Sequence, residues 1–367
     1  MKPLTRCLVA LLICSGVAAA DDWPTFRGNA MLQGRAEALS TDLQPLWLFE
    51  VEEGIEGGAA IVDGVVYVGA LDGKLYAVKL ADGKQLWSYE ASDEIRASVS
   101  VHDGVVYVGD AAGLFHAVDA KSGKAKWSFK SDSEIVSSAN FYKDWLLFGS
   151  NDQFLYALKT DGSLAWKIET DGYVYATPAI VDGKAYSAGC DGFIREIDIA
   201  TGTENKRIEI GAYVGASPAI RDGKAYVGTF ENQVLGIDLK LDKVIWSYEN
   251  PERQFPYISS AALAEDRLIV GGRDKTVHAL SLSDGKELWS HRTRAKVDSS
   301  PVLSGKHAFV GSLTGELFAF EIATGKIAWK FDAGSGVMAT PAIADGRLVV
   351  GTVDGQLYCF GNKGATP

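Results

Sequence analysis

The chain repeats itself every forty residues, and that period constrains its fold more than any other feature. The unit reads Ser-x-x-hydrophobic-x-Asp-Gly-x-x-Tyr-Val-Gly-x-x-Asp-Gly-x-Leu-Tyr-Ala-hydrophobic, then Thr-Gly-Lys-x-x-Trp. Its glycine column falls at Gly69, Gly109, Gly149, Gly228, Gly271, Gly311 and Gly351, with Ala188 in the remaining slot. The steps are 40, 40, 39, 40, 43, 40 and 40 residues. Its tryptophan column falls at Trp47, Trp87, Trp127, Trp166, Trp246, Trp289 and Trp329, with Lys206 in the missing slot. Each unit holds four short apolar runs, in the first one 59–62, 65–69, 75–80 and 85–89, parted by Asp-Gly pairs. Asp-Gly supplies the positive φ that tight hairpins require. Four antiparallel strands in forty residues describe one propeller blade. A parallel β-helix would need shorter coils, and an α-solenoid would need helical spacing. The predicted fold is therefore all-β, an eight-bladed β-propeller of four-stranded antiparallel blades.

The phase of the repeat predicts how the ring closes. Trp47 has no glycine column before it, and Gly351 has no tryptophan after it. Residues 46–51 should then be the outer strand of the blade whose other three strands end the chain, which leaves no open sheet edge at the ends of the array. The propeller is placed at 46–361, with a lead-in at 21–45 and a tail at 362–367. Deleting 21–41 is expected to matter much less than deleting through Val51.

The first twenty residues read as an address. Lys2 and Arg6 precede a compact apolar run to Cys14, and Ala18-Ala19-Ala20 offers small residues for cleavage before Asp21. This is a secretory signal, so the expected location is the periplasm or cell envelope. The alternative is a lipoprotein signal with Cys14 as the anchored residue, although Ile13 stands where a small residue is expected. No later apolar run approaches the length of a membrane span. The net charge is −11, and losing Lys2 and Arg6 makes it more negative. Such a chain is a poor binder of nucleic acid, which rewards phosphate neutralisation. Cys190 and Cys359 remain after cleavage and fall in opposite blades, so they should be unpaired.

The recurring phrase Phe115-His116-Ala117-Val118-Asp119 through Ser122-Gly123-Lys124 to Trp127 resembles the quinoprotein-like, PQQ-binding-like β-propeller repeat family. In size and single-propeller layout the chain is most similar to that family's outer-membrane protein assembly factor (BamB) branch. The resemblance implies that the tryptophan column docks between neighbouring blades. It also implies a non-enzymatic scaffold that binds envelope or outer-membrane proteins, as a monomer. Trp23-Pro24-Thr25-Phe26-Arg27-Gly28 is similar to the lead-in of secreted members. The quinone-dependent dehydrogenases of the family carry adjacent cysteines and a calcium site, and this chain has no Cys-Cys pair.

Motifs for other chemistry are absent from the sequence. The five histidines lack zinc-site spacing. His116 and His278 fall in the strand column of Tyr76, Tyr156 and Tyr358, where a packed aromatic is expected. No Gly-x-Ser-x-Gly occurs, and no Gly-Lys is followed by Ser or Thr. Gly334-Ser335-Gly336-Val337-Met338-Ala339 fits a loose dinucleotide fingerprint but leads into a strand. No catalytic residue, metal ligand or cofactor site is assigned.

Departures from the repeat are where function can sit. Trp246 and Gly271 are 25 residues apart against 22 elsewhere, and the extra residues fall in a segment with Arg253, Phe255 and Tyr257. The loops leading into the inner strands share one face. The first three are acidic, with Glu50, Glu52, Glu53, Glu56, Glu90, Asp93, Glu94, Asp132 and Glu134. The next three carry Tyr173, Tyr175, Tyr213, Phe255 and Tyr257, and the seventh carries His291, Arg292, Arg294 and Lys296. Aromatic and Arg side chains are the usual anchors of binding surfaces. The partner-binding candidates are Tyr173, Tyr175, Tyr213, Arg253, Phe255, Tyr257, Arg292, Arg294 and Lys296. Blade four stands apart: Glu196 occupies an alanine column, and pairing with Lys206 or Arg207 across the hairpin is expected to compensate it. A hydroxyl column at Ser98, Ser138, Thr177, Ser217, Ser260, Ser300 and Thr340 leaves a rival reading open, a quinone or another small polar molecule held in the central channel.

Overall fold

A computed structural model describes residues 22–362. The expected leader, with Cys7 and Cys14, lies outside the described residues, as does most of the expected tail. The described chain forms eight antiparallel blades of four strands and no helix. Blade one comprises Ala60–Val62, Val65–Gly69, Lys74–Lys79 and Gln85–Glu90, running from the axis outward. Asp63 and Gly64 turn its first hairpin with φ of 50° and 71°, the left-handed pair such a turn demands. The eighth blade takes its outer strand, Leu43–Glu50, from the start of the chain, paired antiparallel to Gln356–Asn362. The ring is thus closed as the repeat phase predicts.

Two columns of the repeat hold neighbouring blades together. Each tryptophan indole donates to a carbonyl of the following blade: Trp87 to Ala120 at 3.0 Å, Trp166 to Ile199 at 2.8 Å, and Trp329 to Leu43 at 3.1 Å across the closure. The hairpin glycine of the next blade lies flat on that ring. A Cβ on Gly123 would come within 2.7 Å of the Trp87 indole. The first glycine column serves the same contact deeper in, where a Cβ on Gly69 would meet Ile95 of the next blade at 2.1 Å. The core accordingly lies between blades, with the second and third strands almost wholly buried.

Blade four uses a different bond. Lys206 reaches Leu239 O at 3.2 Å and Asp242 at 2.9 Å, so its ammonium replaces the indole N–H at the seam to blade five. Glu196 and Lys206 are indeed register partners. The compensation of Glu196 comes instead from its other neighbour strand, from Lys184 at 2.6 Å and Tyr186 at 2.9 Å. Lys206, not Arg207, stands opposite Glu196, because a bulge shifts the hairpin by one residue, and the long Lys side chain satisfies its charge where the docking slot offers a carbonyl and a carboxylate together.

The lead-in is more important than its sequence suggests. It runs beneath the inner strands, on the face opposite the inter-blade loops, as a belt. Trp23 exchanges both backbone bonds with Ile61 of blade one, and Pro24 O accepts from Val101 of blade two. Ala30 O accepts from the Asn140 side chain and Ile180 N–H, Met31 O from Ile220, and Gln33 O from Leu263. Arg35–Ala36 then adds a short parallel strand to blade seven, and Glu37 accepts from Gly346 of blade eight. Trp23, Leu32 and Leu39 are buried, and Arg27 is 0% exposed. The segment whose loss is expected to matter much less than loss through Val51 touches all eight blades and carries core side chains.

Candidate functional site

The face opposite the belt is built by eight loops that join the outer strand of one blade to the inner strand of the next. They sit on rigid strand ends, which is how a propeller presents side chains in fixed positions. The aromatic sector is partly as the sequence predicts. Tyr213 is 55% and Phe255 45% exposed, and Tyr173 is also exposed, edge-on to Tyr175 at 5.6 Å between centroids. Tyr175 turns inward and lines the axial cavity. The Arg253 guanidinium lies 5.9 Å from the Phe255 ring centre. Tyr257 is corrected. It is 0% exposed, and its hydroxyl donates to Asp274 at 3.3 Å. A Cβ on Gly228 would meet the Tyr257 backbone at 2.3 Å, so this residue occupies the packing position of Ile95 in blade one and offers no anchor.

Phe230 is an exposed aromatic that the loop pattern missed. It lies in the turn between the second and third strands of blade five, with its ring over Gly215 and its N–H donating to Tyr213 O at 2.9 Å. Its sequence column reads Leu71, Ala111, Asn151, Cys190, Phe230, Arg273, Leu313 and Val353. The absence of any consensus there was the available signal.

The charged sectors are more neutralised than their residue counts imply. Arg294 pairs with Glu316 at 3.0 Å, and Lys296 with Asp298 at 3.3 Å. Arg292 is exposed at the end of its strand. The acidic sector holds a cation of its own. Arg96 Nε donates to Glu94 at 3.0 Å and stands 3.6 Å from Glu134.

Behind the aromatic loop lies a buried ionic cluster. His278 bonds Asp274 at 2.8 Å through Nε2 and Glu287 at 2.7 Å through Nδ1. Asn250, at the start of the inserted loop, donates to the same Asp274 oxygen at 2.6 Å. Burial alone would lower the His278 pKa, but its bonds to the two carboxylates carry it above the usual value. The bond from His278 holds Glu287 down at about 2. His116 is likewise buried, bonded to Asp110 at 2.8 Å and to the Tyr89 hydroxyl at 3.0 Å. Both histidines sit in the tyrosine column as predicted, where Tyr76 and Tyr156 also donate to a turn aspartate.

The axial cavity measures about 440 Å³. Its wall carries the hydroxyl column, and the structure gives those hydroxyls a structural task. Ser98 accepts from Gly58 N–H at 2.8 Å, Thr177 from Ser138 N–H at 3.1 Å, and Ser217 from Thr177 N–H at 2.9 Å. Ser260 and Ser300 continue the series at 2.9 and 3.0 Å. Phe26 of the belt lines the cavity. The residues do not fit a tricarboxylate quinone. The cavity presents Glu56, Glu134 and Asp298 against Arg96 and Arg273, and both guanidiniums are already bonded to carboxylates. Among the described residues no group of His, Cys, Asp and Glu is placed to hold a metal ion, and Cys190 and Cys359 are free thiols.

A family model described as outer membrane protein assembly factor BamB matches residues 33–141, 133–249, 207–300 and 273–365. No curated protein sequence matches the chain. Among solved structures, BamB from Moraxella catarrhalis superposes with a TM-score of 0.75 at 21% identity, covering 88% of this chain and 98% of that one. The computationally designed Ika8 protein gives 0.76 at 20% identity, covering 87% and 99%. Quinohemoprotein alcohol dehydrogenase from Comamonas testosteroni gives 0.79 at 14% identity, covering 95% and 82%. At these identities the structural likeness is one of fold, shared by BamB, a designed protein and an alcohol dehydrogenase.

Proposed function

The chain belongs to the outer membrane protein assembly factor BamB family, and from that premise we propose that it is an exported, non-catalytic scaffold that binds envelope proteins during outer-membrane protein assembly. One observation supports this reading above the others. Large aromatic side chains stand exposed on successive loops, and backbone bonds fix their positions: Phe230 N–H to Tyr213 O, Cys190 N–H to Tyr173 O, and Arg273 N–H to Pro256 O. Exposed aromatics held in place lose little entropy on binding, and such residues dominate interface energies. Arg253 over Phe255 adds charge beside one of these aromatics, and Arg292 stands exposed at the end of an outer strand.

The test is affinity capture from an envelope extract, with recovered proteins identified by mass spectrometry. The wild-type chain should recover components of outer-membrane protein assembly. Tyr213→Ala with Phe255→Ala should lower that recovery about tenfold or more at unchanged urea midpoint. Arg292→Ala should instead alter its salt dependence. Undiminished recovery by the aromatic double variant would count against this face.

A further inference from the structure

The loops around the axis keep one residue constant and vary another. The hydroxyl column is almost uniform. Two positions earlier on each loop, facing the same cavity, no consensus survives. Glu56, Arg96 and Asp298 occupy that position on one side of the axis, with Met338 between Asp298 and Glu56. Val136, Tyr175 and Ile258 occupy it on the other, with Gly215 leaving room for Phe230. Eight-fold repetition would make this ring symmetric if it served only the scaffold. The gathering of its charged residues on one side, with only Met338 among them, and of its aliphatic and aromatic residues on the other is a property of the cavity.

The polar groups are ordered. The Asp298 side chain is 2% exposed and is gripped by Arg273 through two bonds of 3.1 Å. Below it the hydroxyls of Thr177, Ser217, Ser260 and Ser300, each 5% exposed or less, accept from backbone N–H groups. Acceptance leaves the hydroxyl proton of each to donate, and among the described residues no protein acceptor takes it. Buried donors that line a cavity want an acceptor there.

We propose that the axial cavity is a saccharide site, taking a neutral sugar of one or two rings. A sugar ring has an apolar C–H face and a rim of hydroxyls that both donate and accept. The C–H face matches Tyr175, Phe230 and Ile258. The rim matches the carboxylate of Asp298 as acceptor, the guanidinium of Arg273 as donor, and the hydroxyl ring beneath. Arg273 and Lys296 are already paired with Asp298, and Arg96 with Glu94 and Glu134, so the wall offers no free cation to an anionic ligand and the ligand is uncharged. The volume falls within the range of small-molecule sites, about 300–1,000 Å³, and Phe26 contributes to the wall from the belt side. The assignment is independent of protein docking on the outer loops.

The experiment uses the full mature chain and four probes: glucose, N-acetylglucosamine, maltose and trehalose. Saturation-transfer NMR and calorimetry should show one saturable site for at least one of them, at millimolar or tighter affinity. Tyr175→Ala and Phe230→Ala should each weaken that binding about tenfold, with Tyr175→Phe retaining it and urea midpoints reporting that the variants are folded. Phe255→Ala, outside the cavity, should bind sugar as the wild type does even where it loses a protein partner. Absence of binding by all four probes overturns the proposal. So does binding unaffected by both aromatic substitutions, or saturable binding of pyrroloquinoline quinone with no sugar bound.

Discussion

The belt makes a counterintuitive prediction: a buried cation in it contributes less stability than its neighbouring tryptophan. The perturbations are Trp23→Ala and Arg27→Met. Trp23 is 3% exposed, with its ring packed so closely on Gly28 that a Cβ there would lie 2.5 Å away. Truncating such a side chain costs about 3–5 kcal/mol. Arg27 donates to Pro301 O at 2.6 Å and Ala261 O at 2.9 Å, but its Nε has no partner. Burial pushes its pKa down to about 9, which corresponds to roughly 5 kcal/mol against the charged form at pH 7. Two bonds from a charged donor return about 1.5–3 kcal/mol each. The terms nearly cancel, so Arg27→Met should lie within about 2 kcal/mol of the wild type, and an apolar replacement of a buried charge is often neutral. Urea denaturation followed by far-UV circular dichroism measures both variants. A loss on Arg27→Met equal to or larger than that on Trp23→Ala would refute this account.

Three further outcomes follow from the same geometry. Trp246 is 8% exposed and donates to Leu282 O at 3.0 Å, so Trp246→Ala should cost about 3–5 kcal/mol; Lys206→Ala at the equivalent polar seam should cost less, and its effect should fade in high salt, as urea midpoints at two ionic strengths will show. Hydrogen exchange should be faster in Phe193–Asp198 and Glu204–Glu209 than in Lys74–Lys79 and Gln85–Glu90, because blade four lacks a docked indole at its seam to blade five. His278 has a raised pKa in the fold, so its contribution is complete below the ordinary value of about 6.5 and is lost as pH climbs through the folded value, while that of Glu287 is complete above about 4.5 and is lost as pH falls toward 2; His278→Tyr should remove the alkaline loss, checked by urea midpoints between about pH 6 and 9.

The fold was legible because its determinants are local and repeated eight times. Asp63-Gly64 announces its turn by chemistry alone, and the spacing of Gly69 to Trp87 fixes blade length. The belt was not legible, because nothing in residues 22–39 repeats. Its bonds use backbone groups of Trp23, Pro24, Ala30, Met31 and Gln33, and a backbone carbonyl leaves no trace in side-chain pattern. Arg27 is a similar case. An arginine beside a glycine reads as an exposed loop residue, and only the ring above it makes the site dry. Tyr257 misled for the opposite reason. An aromatic in an inserted loop reads as surface, yet it fills the column of Ile95 and Val297, one step along from the insertion.

The candidate site became visible by comparing columns, not motifs. A column that is constant across blades reports on the seam between them, as the indoles and the hydroxyls do. A column that varies but points outward reports only solvent. The informative ones vary and point at one place. The turn column of Phe230 and Arg273 and the loop column of Glu56, Arg96, Tyr175 and Asp298 both lead to the axis. Their residues lie up to 242 positions apart in the chain, as Glu56 and Asp298 do, so no local window can join them. Closure of the ring joins them, and closure rests on Leu43–Glu50 pairing with Gln356–Asn362. A variant that opens this pairing should therefore disperse the axial wall as a whole, even though every loop that builds it is intact in sequence.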